Sequence, residues 1–304
     1  MTLPFSIDRQ TVTPTLSIRP AHKTPLIMPG RGGRGGGGRG PLPRDVQVSK
    51  KISWLLRHGA ESEGLKLDAA GYLNCQDVLG NRKIRSLQVT FDELRAIVED
   101  NDKQRFTMTP VNPPLDGGEV ECQPPIPSNK PQDYLIRANQ GHSLAVETEG
   151  LLTPITAENA PTTAVHGTTH AAWPLILASA GLKAMTRNHV HFASGLPSGF
   201  TSLATAADGA PATAVEAPVI SGMRKSSTVL MFLDVGKAME AGLKLWRSDN
   251  GVILTDGDAE GLVPLELFRR VEDRTGQGVL LEEGKVVKEA PASWVGKGKG
   301  RGKG

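Results

Sequence analysis

The sequence predicts an α+β fold in two parts, a short helix-led lobe followed by a longer β-rich lobe. Two changes of pattern along the chain predict it. Between Val48 and Val98 the apolar residues recur at helical spacing, whereas from Tyr134 onward they fall into short runs and alternations bounded by Gly, Pro, Asn and Asp. Between the two lies a Pro-rich stretch carrying Asp116, Glu119 and Glu121, which reads as a linker or insertion. The chain has 304 residues, room for about two domains.

The first lobe is expected over residues 45–110. Val48, Ile52, Leu55 and Leu56 share one face of a helix, with Gly59 where a C-terminal cap belongs. Arg57 and His58 then fall in its last turn, where cations complement the helix dipole in any protein; the spacing alone assigns them no function. Tyr72-Leu73 reads as a short strand, Asn74 as the cap of a brief helix, and Thr90-Phe91-Asp92-Glu93 as a capping box opening a helix with Leu94, Ile97 and Val98 inward. Arg105 to Met108 reads as a strand. Three short helices followed by strands suggest a winged-helix-like module, a fold that binds nucleic acid in some proteins and protein in others.

After the linker at 111–132, the second lobe is expected over 133–275. Tyr134–Arg137 reads as a strand, and Ala164–Thr168 as another, followed by a helix with Trp173, Ile176, Leu177 and Ala180 inward. His189-Val190-His191 alternates, so both histidines face one way. Residues 195–218, rich in Ala, Thr, Ser and Pro, read as a surface insertion. Thr228 to Asp234 is an apolar strand, Asp249-Asn250-Gly251 turns a hairpin, and Leu265 to Val271 is expected to finish the fold, with 276–304 a basic Lys/Gly tail.

Composition narrows the function classes. The formal net charge is only +3, but the excess is concentrated in a Gly/Arg tract near the N-terminus, within an expected disordered tail over 1–44, and in the Lys/Gly run at the C-terminus. Such tails add sequence-independent attraction to a phosphate backbone, or serve only solubility. Two cysteines, Cys75 and Cys122, in unlike surroundings give neither a disulfide framework nor a zinc site. No run of about 18 apolar residues is present, so no membrane span is expected. A secretory signal is not expected either; cytosol or nucleus is the default, with a transit peptide or a start at Met28 left open.

The stretch that organises the chain is Ile136-Arg137-Ala138-Asn139-Gln140-Gly141-His142-Ser143. A strand that ends in Arg, Gln, Gly, His and Ser is either a binding edge or a polar turn. Arg137 offers a planar fork suited to phosphate, and Gly141 lets the backbone approach a ligand. The polar outliers of the β-rich half, Arg137, His142, His166, Thr168, His189, His191 and Arg224, gather at predicted strand ends. No Ser-His-Asp order, phosphate loop, paired carboxylates or metal-ligand spacing stands beside them. A cationic, imidazole-rich pocket of this kind suits phosphate binding and the stabilisation of negative charge.

At this point a family resemblance enters. Ser53 to Ala60, Gly64 to Asp68, Gly71-Tyr72, Ile136 to Ser143, His166-Gly167-Thr168, His189-Val190-His191, Ser221 to Arg224 and Ser248 to Val252 resemble, in order, the motifs of the NAD-dependent RNA (tRNA) 2′-phosphotransferases. The resemblance spans roughly residues 48–272. It implies a winged-helix-type RNA lobe and an NAD lobe of the ADP-ribosyltransferase type, with no metal. It implies that NAD is consumed as a co-substrate while the splice-junction 2′-phosphate leaves ligated tRNA, giving 2′-OH RNA, nicotinamide and ADP-ribose 1″,2″-cyclic phosphate, the last step of tRNA splicing. Arg57, His58, Arg137 and Arg224 match the family's catalytic set: the three arginines at the phosphate, His58 moving a proton. Gln140, His142, Ser143, His166, Gly167, Thr168 and His191 are implied around NAD. Lys103 and Arg105 either contact flanking RNA or are plain exposed charge. The partners implied are 2′-phosphorylated tRNA and NAD, with the protein a monomer. Two competing readings are an ADP-ribosyltransferase acting on terminal phosphate or protein, and a non-enzymatic RNA-binding protein.

Overall fold

The computed structural model describes residues 41–111, 128–203 and 222–295, and Leu42 onward forms one compact unit. Helix α1, Arg44–Trp54, buries Val48 and Ile52 and runs directly into a π-helical turn, Leu55–Gly59. Strand β1, Tyr72–Asn74, leads into α2, Cys75–Gly80, whose start is capped by the Asn74 side chain accepting from the Gln76 N–H at 2.8 Å. A one-turn α3, Arg82–Arg85, follows. In α4, Phe91–Glu99, the capping box is half formed. Thr90 Oγ1 accepts from the Glu93 N–H at 3.1 Å, but the Glu93 carboxylate is drawn across the lobe to the Arg44 guanidinium at 2.7 and 2.9 Å.

The strand expected to open the second lobe belongs to the first. Strands β2, Phe106–Pro110, and β3, Tyr134–Ala138, pair antiparallel, and β3 sits centrally in a three-stranded sheet of order β1-β3-β2. Ile136 and Ala138 are fully buried in the core built by Val48, Ile52, Leu56, Val78 and Leu94. The boundary placed at 133 is therefore corrected. Residues 111–132 join two partnered strands of one sheet, because Ile136 finds its apolar partners on the helices before it. Most of that connection, 112–127, lies outside the described residues, as do 1–40, 204–221 and 296–304, where the tails and most of the insertion were expected.

The second half opens with β4, Thr153–Pro154, and β5, Ala164–Thr168, then α5, Trp173–Ala178, β6, Gly181–Lys183, and β7, Val190–Phe192. After the insertion come β8, Val229–Leu233, α6, Val235–Glu240, β9, Trp246–Arg247, β10, Ile253–Thr255, and β11, Leu262–Pro264. A four-stranded sheet runs β4-β9-β10-β7, and β11 pairs with β6. Between β9 and β10, Gly251 takes a φ of 76°, the positive value expected of the turn.

The expected end of the fold is also corrected. Strand β12 is Phe268–Asp273, and beyond it β13, Gly278–Glu282, and β14, Lys285–Val286, complete a five-stranded sheet of order β14-β13-β12-β8-β5. Leu280, Leu281 and Trp294 are buried in the same core as Trp173 and Phe268. The basic tail expected from 276 thus begins no earlier than the last described residues. Apolar Val279 to Leu281 sit opposite an exposed strand edge, and pairing them removes a row of unpaired backbone groups. Among the described residues, no helix is long and apolar enough to cross a membrane.

Candidate active site

The site lies along the seam between the two cores and starts at the π-helical turn. Gly59 is not the helix cap expected of it: the following Ala60 is still right-handed helical, and the left-handed residue is Gly64, φ 74°. Gly59 is needed for space, since a Cβ there would meet the Trp54 ring at 2.4 Å. The extra residue of a π turn re-aims the side chains next to it, here Arg57 and His58. The Arg57 carbonyl, left free by the widened turn, accepts from the Ser143 and Leu144 N–H groups at 3.0 and 3.3 Å. The loop after β3 therefore docks on the turn, and His58 Nδ1 lies 2.9 Å from Ser143 Oγ. Gly141 takes a φ of 88°, which favours glycine, and it faces the Arg57 side chain, whose Cδ, Nε and Cζ would stand 3.7 Å from a Cβ there, an ordinary contact.

A second loop closes onto the first. The Asn188 N–H donates to the His142 carbonyl at 3.0 Å and Asn188 Nδ2 to the Leu144 carbonyl at 2.9 Å. This holds Arg187 and His189, either side of Asn188, beside Arg57, His58 and His142. On β5, His166 Nδ1 donates to the His191 carbonyl of β7 at 2.8 Å, so both histidines belong to one patch. Gly167 is tightly covered; a Cβ would stand 2.5 Å from Met223 Cγ and Ser227 Oγ. That contact seats the segment bearing Arg224, whose carbonyl accepts from the Ser227 N–H at 3.0 Å. Thr168 continues the same strand, and its carbonyl accepts from the Thr228 N–H.

The electrostatics are those of crowded cations partly removed from water. Burial first, then Arg105 and Arg187, lower the Arg57 pKa to about 10, so Arg57 stays charged at neutral pH. Burial and then Arg57 bring His142 to about 4; burial and then Arg187 bring His191 to about 3. His58 is lowered by burial, Arg57 and Arg187, and His166 by burial despite its bond to His191, with Arg224 and Arg187 adding to the shift. The imidazoles are thus neutral near pH 7 and the guanidinium groups charged. Among the described residues, several buried donors or acceptors have no protein partner: Arg57 Nε and one amino nitrogen, His142 Nε2 and His191 Nε2. Buried polar atoms left open in this way cost stability unless something else satisfies them. Charged forks for phosphate and neutral imidazoles for hydroxyls are the donor set a dinucleotide needs, so the residues fit NAD.

Of the sequence-expected residues, Arg57, His58, His142, Ser143, His166, Gly167, His191 and Arg224 adjoin one another through these contacts. Gln140 is buried in the same loop. Arg137 is held differently. One amino end donates to the Gly150 carbonyl at 2.7 Å, the other is ion-paired with Asp249 at 2.8 Å, and the fork lies over the Tyr72 ring at 4.8 Å. Only its Nε is left buried and unpartnered. His189 meets the edge of Trp246 at 5.6 Å. Sequence reasoning missed Arg187, whose charge acts on His58, His166 and His191 as well as Arg57. Its signal was present: it stands two positions before His189, just ahead of a motif already singled out. Asp249 was read only as a turn residue.

Comparison with known proteins gives the family. Residues 43–257 match the model of the "RNA 2'-phosphotransferase, Tpt1 / KptA family". The chain is 38% identical over 245 residues to tRNA 2'-phosphotransferase 1 of Danio rerio, covering 80% of this chain and 92% of that protein. It is 39% identical over 229 residues to the Bos taurus protein of the same name, covering 74% of each. With tRNA 2'-phosphotransferase of Saccharomyces cerevisiae the identity is 34% over 232 residues, 75% of this chain and 84% of that one. Given the extent of that match and these identities, the chain belongs to the RNA 2′-phosphotransferase, Tpt1/KptA family.

Proposed function

We propose that this protein removes the 2′-phosphate left at the junction of a ligated tRNA by transferring it to NAD, with Arg57, His58, Arg137 and Arg224 at the phosphate. The observation that carries the reading is the half-buried Arg57 guanidinium, whose Nε and one amino nitrogen are buried with no partner among the described residues, beside the 139–144 loop that bonds to the Arg57 carbonyl on one side and to Asn188 on the other. In this reading the helices and three-stranded sheet from 44 to 138 form a winged-helix-type RNA lobe, and the β-rich half an ADP-ribosyltransferase-type NAD lobe. Gln140, His142, Ser143, His166, Gly167, Thr168 and His191 hold NAD, which supplies an electrophilic ribose carbon with nicotinamide as leaving group. The protein acts as a monomer in cytosol or nucleus.

Each residue has a task its surroundings suit. A phosphate dianion is already nucleophilic, so the chain needs to orient it and carry its charge rather than deprotonate it. Arg57 does so from a position low in water, where a charged fork interacts strongly with an anion. Arg224, exposed and free of protein acceptors among the described residues, closes on the phosphate from the other half. Arg137 is a braced group: Asp249 and Gly150 fix the fork, and Nε remains as its donor. His58, neutral and oriented through Nδ1 by Ser143, is placed to exchange a proton at Nε2 when the ribose hydroxyl attacks and the RNA 2′-oxygen leaves.

The test is a time course with NAD and an RNA bearing one internal 2′-phosphate. The expected result is equal amounts of nicotinamide and dephosphorylated RNA. A stable ADP-ribosylated RNA would favour a transferase that stops after the first transfer. RNA binding with no nicotinamide release would overturn the enzyme altogether.

A further inference from the structure

Next to the Arg57 pocket lies a groove of about 860 Å³, walled by α1 and α4 on one side and by Pro197, Ser198, Met223 and Lys225 on the other. Its floor is the turn from Asp100 to Arg105 that leads into β2. Lys103, Arg105 and Lys225, from opposite halves of the seam, line it together. The acids that share the lining are Asp45, Glu93, Asp100 and Asp102, and Glu93 is committed to Arg44. Among the described residues, Lys103 Nζ and Lys225 Nζ have no hydrogen bond or ion pair, and Arg105 has one side-chain bond, NH1 to Asn101 Oδ1 at 3.0 Å.

The groove is built rather than incidental. The Lys103 carbonyl accepts from Asn250 Nδ2 at 3.0 Å, a bond across the seam, and the Arg105 carbonyl from the Asn139 N–H at 2.9 Å. Asn139 is two residues from Gly141, on which Arg57 lies, so Arg105 stands between the Arg57 pocket and the groove. The three cations repel: Lys103 is lowered by burial and then by Arg105 and Lys225. Asp102 offsets Arg105 in part, while Lys103 feels both other cations, and like charges gathered in this way are stabilised by an anion with several charges along its length.

We propose that Lys103, Arg105 and Lys225 form a second anion site, which takes the RNA phosphodiester flanking the nucleotide that carries the 2′-phosphate. The groove is then the path of the substrate strand as it leaves the pocket. This rests on the reaction proposed above and extends it to positions that touch no part of NAD.

The experiment compares wild type with the Lys103→Ala/Lys225→Ala double variant and with each single variant. Binding of a short single-stranded 2′-phosphorylated RNA is measured across a salt series, with NAD affinity and nicotinamide release followed in parallel. Each phosphate contact on a single strand contributes about 0.7 to the salt slope. Losing two makes the drop in affinity between about 50 and about 200 mM salt roughly sevenfold smaller than in wild type. That change, with NAD affinity unaltered, supports the site. An unchanged slope in a double variant with wild-type circular dichroism overturns it, as does equal weakening of RNA and NAD. Because binding is read without turnover, wild-type protein that binds RNA in this way yet releases no nicotinamide counts against the proposed reaction alone.

Discussion

Replacing Arg57 with Met should stabilise the protein while abolishing phosphate transfer. The reason is the position of the guanidinium. Burial drops its pKa well below the ordinary guanidinium value, to about 10, and each unit is about 1.4 kcal/mol of preference for the neutral form. The folded protein without ligand therefore carries a penalty of up to about 3 kcal/mol for keeping Arg57 charged. Arg57 retains some exposure and Met loses some packing, so a net gain of about 1–2 kcal/mol is expected, or roughly 2–8 °C in Tm for a domain of this size. The sign with pH follows. A base whose folded pKa lies below its unfolded value destabilises while charged, and the penalty is relieved as pH rises from about 10 toward the unfolded guanidinium value. At neutral pH the penalty is present in full. In the proposed reaction the same substitution removes a charged contact to the phosphate, which should cost about 10²- to 10³-fold in kcat. Thermal unfolding by circular dichroism and turnover on 2′-phosphorylated RNA measure both sides. Arg57→Lys keeps a charge but loses the fork, so it should lose most activity without the gain in Tm. A Met variant that melts lower than wild type, or keeps a kcat within about tenfold of wild type, would refute the reasoning.

Further consequences can be checked in the same way. The histidines at the site are held neutral, with His142 at about 4 and His191 at about 3; below the unfolded value of 6.5 the unfolded chain binds more protons than the folded one, so stability should fall as pH drops from 6.5. Each of the two contributes a loss of up to about 2 kcal/mol by roughly pH 5, read as a falling urea midpoint, and His142→Gln should flatten the curve. Gly167→Ala places a methyl group 2.5 Å from Met223 and Ser227; the displaced segment carries Arg224, so turnover should fall about tenfold or more, with about 1–3 kcal/mol of destabilisation from overpacking. Asp249→Asn removes the carboxylate that fixes Arg137. The pair has one half-exposed partner, so stability should fall by only about 1 kcal/mol while kcat falls further; an unchanged kcat would show that Arg137 needs no brace.

Much of the fold could be read along the chain because its signals are local. Asn74 and Thr90 cap the helices assigned to them, Gly251 turns the hairpin, and β5 and β7 stand where their apolar runs put them. What failed was non-local. A strand such as Tyr134–Ala138 does not record in its own residues which sheet it joins; its partners are β1, some 60 residues back, and β2 across the 112–127 stretch. The π turn was hidden for a similar reason. Gly59 was taken for a helix end by type, whereas it is small because of Trp54, five residues earlier, folding over it. The Arg137–Asp249 pair spans 112 residues, and nothing beside Asp249 in the sequence announces a cation.

These non-local bonds also explain why the site resists simple mutational reading. Asp249 reaches Arg137, Asn250 reaches the Lys103 carbonyl, and Asn188 reaches His142 and Leu144. Residues that line the site, or sit next to those that do, are thus the residues that hold the two halves together. Loss of activity after truncating Arg137 or Asn188 would follow equally from lost chemistry and from a loosened seam. Arg57 separates the two. Its side chain makes no hydrogen bond or ion pair among the described residues, burial disfavours its charge in the folded chain, and the proposed reaction needs that charge. Only a group retained for a ligand gives opposite signs in a melting curve and a turnover assay.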